Sequence, residues 1–259
     1  FSGEYYKNDD CALFMPQTLD DNIYDPVDTK LVAKMHKAIT IIQLKLEGQL
    51  IERHPEWGMG KRDIFRMVDF DRGTVTIDGS EYELLDKNFP TVCRKDPLSL
   101  TDAENELMSV LENSFMHSER LNSHIRFLYS KGSMYKTING NLLFHGCIPL
   151  DENGQLQSVN IAGTDYSGKA LLDKLDEIAN KAYFMQPGEE KDYAADYMWY
   201  LWSGARSPLY GKDKMAFFER YFLDDKKLHK ENYNAYYHFS EQAEVCGWIL
   251  EMFGLDPER

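Results

Sequence analysis

The 259-residue sequence predicts an α+β protein, helix-rich and carrying two β-hairpins. Three observations lead to that class. Apolar residues recur at helical spacing in long segments, as at Leu31, Met35, Ala38, Ile42 and Leu46. Asp78-Gly79 and Asn139-Gly140 each separate β-prone runs, the strongest short signal for a hairpin. Beyond residue 169 the pattern turns helical, without repeats or a low-complexity linker. With 43% hydrophobic and 28% charged residues, the chain has the composition of a soluble globular protein able to bury a core.

The first element is a helix over 26–53. Asp25 serves as its N-cap and Pro26 takes N1, where a missing N–H costs nothing; His54 before Pro55 ends it. Strands at 74–77 and 81–85 flank Asp78-Gly79. A capping box of Thr101 and Glu104 opens the next helical segment, which Gly132 closes. "SMYKTI" and "NLLFHG" then pair around Asn139-Gly140. After a loop at Asn153-Gly154 and the run "QLQSVNI", helices are expected at 169–184, 192–202, 214–223 and 241–253, the last flanked by Ser240 and Gly254. Two domains follow: 1–132, helical with a small hairpin, and 133–259, strands followed by helices.

Charge and cysteines narrow the function. A net charge of −14 argues against a nucleic-acid partner, because phosphate backbones attract Lys and Arg. It leaves room for a small phosphorylated substrate, since a bound divalent cation inverts the local field. No apolar run approaches ~18 residues, so no membrane span is expected, and no signal peptide is visible. Cys11, Cys93, Cys147 and Cys246 lie far apart, without a CxxC pair, which fits the cytoplasm. The chain opens on Phe1 and closes on "GLDPER", so it reads as part of a longer polypeptide.

Two stretches carry candidate chemistry. In "NLLFHG" strand alternation puts Leu143 and His145 on one face and Phe144 on the other, with Gly146 allowing close backbone passage. His145 reads either as a metal ligand at a strand end or as a hydrogen-bonded strand-end histidine. One imidazole is too few for a catalytic metal, which takes three or more protein ligands. The other stretch, "LWSGARSPLYGKDKMAFFERYF", gathers Arg206, Lys212 and Lys214 in an acidic chain, and a helix beginning near Asp213 would add anion affinity. It reads either as a phosphate-holding loop or as an ordinary loop whose cations offset nearby carboxylates. "VDFDRG" at 68–73 is a turn feeding the first hairpin, not a metal motif. The aromatic run "YAADYMWYLW" reads as core packing.

Taken together, "FLYSKGSMYKTINGNLLFHGCIPL", "LWSGARSPLYGKDKMAFFERYF" and "ILEMFGLDPE" resemble the class III fructose-1,6-bisphosphatases of Firmicutes, and the likeness runs through "AKMHKAITIIQLKLEGQLI" and "DGSEYELLDKNFPT" as well. The resemblance implies a calcineurin-like metallophosphoesterase: a sandwich with a helical insertion, here 1–132, and a partial core, here 133–259. It also implies two divalent cations, Mn2+ or Mg2+, that activate water for attack on the C1 phosphate of fructose 1,6-bisphosphate in gluconeogenesis. His145 in "FHG" inherits the role of metal ligand; the assignment of Arg206, Lys212 and Lys214 to the sugar phosphates rests on charge alone. The family's DxHG, GDxxDRG, GNHD and GHxPV segments are missing from these residues, so the chain by itself is expected to be catalytically silent. No catalytic residue is assigned, and association into a homo-oligomer is expected where sheet surface is exposed. Two other readings stay open: a non-catalytic helical assembly or regulatory domain, and a phosphatase for another phosphomonoester.

Overall fold

The structure is a computed structural model and describes residues 1–16 and 28–258. In chain order the helices and strands are α1 (Ser2–Tyr5), α2 (Thr29–Arg53), α3 (Ile64–Met67), β1 (Val68–Asp69), β2 (Thr74–Ile77), β3 (Ser80–Glu83), α4 (Asp102–Met116), α5 (Glu119–Lys131), β4 (Tyr135–Ile138) and β5 (Asn141–Phe144). There follow β6 (Val159–Ile161), β7 (Thr164–Tyr166), α6 (Gly168–Phe184), α7 (Glu189–Ser203), α8 (Phe217–Phe222), α9 (Tyr236–Phe239) and α10 (Ala243–Met252). The α+β class holds: helices dominate, and the described strands form three small antiparallel sheets. No helix among the described residues is long and apolar enough to cross a membrane.

The chain divides into two compact units, 1–118 with 216–230, and 119–215 with 231–259. The leading segment of the first unit ends at Ser118, where the helical segment opened by Thr101 breaks at His117-Ser118 into α4 and α5. The α8 segment belongs to the first unit although it is remote in sequence.

The first unit is built on α2. Asp28 caps it, its Oδ1 accepting from the N–H groups of Lys30 and Leu31. The expected cap at Asp25 and Pro26 lies outside the described residues. At ~1.5 Å per residue its 25 residues span about 37 Å. Of the expected apolar stripe, Ala38 and Ile42 are buried, whereas Leu31 and Met35 face solvent. The buried face instead includes Ile41, Leu44 and two lysines, Lys37 and Lys45. Each buried ammonium is satisfied: Lys37 by Asp86 and the Asp10 carbonyl, Lys45 by Glu104 and the Thr91 carbonyl. Glu104 is also the carboxylate of the Thr101 capping box, so one side chain ties the start of α4 to α2. Around α2 pack Phe65, Phe89, Phe218 and Phe222, with Val75 and Ile77 from β2.

Both expected hairpins form. Asp78-Gly79 and Asn139-Gly140 have positive φ at both positions, the geometry whose twist suits a two-residue connection. In the first, the partner strand is 80–83, not 81–85, because Ile77 pairs with Ser80, and β1 adds a third strand. Asp69 ends β1 and its Oδ1 accepts from the N–H groups of Asp71 and Arg72, which makes "VDFDRG" the turn the sequence indicates. A third hairpin, β6–β7, turns at Ala162-Gly163, a pair with a much weaker sequence signal.

The second unit packs Ile148, Leu150 and Leu172 against Val245, Ile249 and Phe253 of α10. That helix starts at Ala243 with Gln242, rather than Ser240, at its N-cap position, and Gly254 follows its end as expected. In α7, Tyr197 and Tyr200 are buried as the packing reading requires, while Trp202 points outward. The helix expected over 214–223 is shorter, Phe217–Phe222.

Candidate functional site

The β4–β5 hairpin decides which way His145 points. Its register pairs Tyr135 with Phe144 and Lys136 with Leu143. Alternation then sends Tyr135 and Phe144 to the inner side, where Tyr135 meets Phe253 and Phe144 meets Tyr236 edge-on. Lys136, Leu143 and His145 share the outer side, and all three are exposed. His145 lies one residue past β5, at the strand end the sequence indicates, and forms no hydrogen bond among the described residues. The inner aromatics anchor the strand, and the outer face is left to solvent.

Beneath the imidazole the chain passes another backbone closely. Gly146 has φ +82°, and a Cβ there would stand 2.1 Å from the Pro208 carbonyl oxygen and 2.9 Å from that of Leu209. The Cys147 N–H donates to the same Pro208 oxygen at 2.8 Å. The strand end and the "SGARSPLYG" loop, distant in sequence, are therefore one substructure. Cys147 is fully buried, and burial pushes its thiol up to about 12, so it acts as a small hydrophobe rather than a nucleophile.

The loop cations are already partly engaged. Arg206 is exposed and donates to the Ser158 carbonyl at 3.3 Å; it also sits by Tyr200, whose phenol burial pushes up to about 12 while the Arg206 charge and N–H pull it back. Lys212 pairs with Glu231 at 2.8 Å and lies over the rings of Tyr210 and Tyr233. The carbonyl of Lys214 accepts from the Tyr210 hydroxyl. The Asp213 N–H donates to the Asn232 carbonyl, and the next helix begins only at Phe217, so the expected anion-binding helix start near Asp213 does not form. The structure brings this loop against the backbone at Gly146, with Leu209 on the wall of the same cleft as His145.

That cleft, of about 560 Å3, is lined by residues of α5, the β4–β5 hairpin and α6, with Tyr129, Lys131, Lys136, Leu143, His145, Asp176 and Leu209 among them. Lys131 and Lys136 escaped sequence reasoning, since isolated lysines beside a helix end are common. The register of the hairpin is the signal that would have put Lys136 on the face of His145.

Among the described residues no group of three or more His, Cys, Asp or Glu side chains is placed to hold a metal ion. Other histidines serve the fold: His36 Nε2 meets the Tyr221 hydroxyl, His54 stacks on Trp57, and His229 Nε2 meets the Leu223 carbonyl. His145 is a competent ligand, but the described residues do not make a complete metal site around it.

Comparison with known proteins covers the whole chain. A family profile described as Firmicute fructose-1,6-bisphosphatase matches residues 1–259. A Clostridium tetani protein named fructose-1,6-bisphosphatase class 3 is 51% identical over 260 residues, which is 100% of this chain and 39% of the relative. Similar proteins of the same name from Clostridium botulinum and, as a second form, Clostridium beijerinckii are each 48% identical over 100% and 99% of this chain and 40% of their own length. The chain thus spans about two fifths of the curated relatives it matches. No solved structure matches it significantly. By sequence along its full length, the chain belongs to the Firmicute fructose-1,6-bisphosphatase family.

Proposed function

We propose that this chain is the part of a class III fructose-1,6-bisphosphatase that contributes His145 to a divalent metal centre, Mn2+ or Mg2+. The longer protein removes the C1 phosphate of fructose 1,6-bisphosphate, leaving fructose 6-phosphate and inorganic phosphate, in the cytoplasm. The family match over residues 1–259 carries this reading, and the exposed, unengaged imidazole at the end of β5 supports the role of His145. Membership in the family implies a divalent metal. The described residues do not complete a site for it, so no step of the hydrolysis is assigned to them.

What this chain supplies is position. Contacts of half-buried Phe144 fix the strand, Gly146 seats its end on the 206–211 loop, and the imidazole is held outward. The remaining ligands belong to the part of the relatives that this chain does not span, so the isolated 259 residues are inactive in this proposal. Arg206, Lys212 and Lys214 are proposed contacts for the sugar phosphates, and exposed Phe127, Leu128 and Leu143 make association between copies part of the same reading. In this proposal residues 1–132 are the helical insertion and 133–259 part of the phosphatase core.

The test places this chain in a whole enzyme, replacing the matching segment of the Clostridium tetani relative. Phosphate release from fructose 1,6-bisphosphate with added Mn2+ is expected, and His145→Ala is expected to lower it about 100-fold or more. Full activity in the His145→Ala chimera rejects the ligand assignment.

A further inference from the structure

The cleft beside His145 has a chemical character that the proposed metal role leaves unused. Lys136 and His145 lie on one face of the hairpin, two residues apart in cross-strand register, a separation of roughly 7–8 Å between diagonal neighbours. Lys131, the last residue of α5, lines the same cleft. Its ammonium makes no ion pair among the described residues. Lys136 donates to the Lys131 carbonyl, which uses one of its three N–H groups and leaves two. Asp176 is the carboxylate on the wall; its Oδ1 accepts the Met134 N–H at 3.1 Å, and its single negative charge is outweighed by the two ammonium groups. Tyr129, stacked on Tyr183, offers an apolar flank. In a chain of net charge −14, two cations converging on one cleft with an imidazole mark a local anion site against an unfavourable overall field.

We propose that Lys131 and Lys136 hold the phosphate that is not transferred, the C6 phosphate of the sugar bisphosphate, while its C1 phosphate lies at the His145 end of the cleft. The inference rests on the phosphatase reading and deepens it. It gives the two phosphates separate holders on one rigid hairpin, so the span between Lys136 and His145 becomes the ruler that sets substrate length. The loop cations proposed above, Arg206, Lys212 and Lys214, are left to the C1 phosphate in this assignment, Lys212 with its ammonium already paired with Glu231.

The pair can be tested without turnover. Fructose 6-phosphate, which retains the C6 phosphate, is titrated into the 259-residue chain and followed by calorimetry and amide shifts. Binding is expected, with shifts at residues 131–136 and 145, and fructose alone is expected to bind far more weakly. The Lys131→Ala/Lys136→Ala double variant should lose about tenfold or more in affinity, because each lysine gives a charge-assisted contact. The matching double arginine variant should retain binding, which separates lost charge from lost fold; both lysines are exposed, so neither variant empties a core. Absence of binding to the unmodified chain, equal binding of fructose, or losses confined to Arg206→Ala and Lys212→Ala each overturn the inference. An active chimera combined with lysine-independent binding defeats the inference alone. An inactive chimera combined with lysine-dependent binding defeats the phosphatase reading alone.

Discussion

Replacing Gly146 by alanine isolates the contact on which the candidate site is built. Two costs arise. A left-handed alanine costs about 1–2 kcal/mol relative to glycine. The new methyl also meets the Pro208 oxygen at 2.1 Å, so strand end and loop must part by roughly 1 Å. That movement breaks the Cys147 N–H to Pro208 hydrogen bond, about 1 kcal/mol or more for buried partners, and loosens the packing of fully buried Cys147 and Ile148, another ~1–2 kcal/mol. The sum is about 3–5 kcal/mol. Gly140 is the internal control: its φ is nearly the same, +78°, but nothing lies within 4 Å of an added Cβ. Gly140→Ala should therefore cost only the conformational part, about 1–2 kcal/mol. Denaturant unfolding of both variants measures the difference, and hydrogen exchange at the Cys147 amide should accelerate in Gly146→Ala only. Equal destabilisation of the two variants, or unchanged exchange at Cys147, would refute the close approach as the feature that positions His145.

Two further outcomes concern the first unit. The Asp63 carboxyl is buried, its Oδ1 has no hydrogen-bond partner, and burial with the nearby Glu52 charge pushes its pKa from 3.8 up to about 6. A raised carboxyl binds its proton more tightly in the folded state, so the unit loses stability as pH rises from about 4 to 6 and stays at the lower level above. Asp63→Asn is expected to gain about 2 kcal/mol at pH 7.5 and to gain nothing at pH 3.5, read from hydrogen exchange along α2; a gain independent of pH removes the argument. Lys45→Met leaves the fully buried Glu104 without its cation and should destabilise the unit by about 3–5 kcal/mol, and the added Glu104→Gln change should recover part of that loss in a double-mutant cycle. Simple additivity of the two changes would show that the pair does not act as a unit.

The α+β class, the Asn-Gly and Asp-Gly hairpins, the Thr101 capping box and the strand-end position of His145 were all legible from residue order, because turn chemistry, capping and period-two alternation are local. What escaped was non-local. Lys37 and Lys45 drew no reading from residue order and are buried, since each found a carboxylate and a carbonyl far along the chain. Leu31 and Met35 read as core and are exposed, because the partners of α2 cover a different stripe. The hairpin at Ala162-Gly163 lacks the side chain that announces such a turn.

The sequence by itself determined the family, the strand-end place of His145 on the face opposite Phe144 and the backbone freedom that Gly146 gives after it. Only the tertiary structure decided that the glycine serves Pro208, that Lys212 is paired with Glu231, and that Lys131 and Lys136 join His145 in one cleft. The physical reason is range: backbone conformation and strand alternation are written within a few residues, whereas a cleft or an ion pair exists only once distant segments have met.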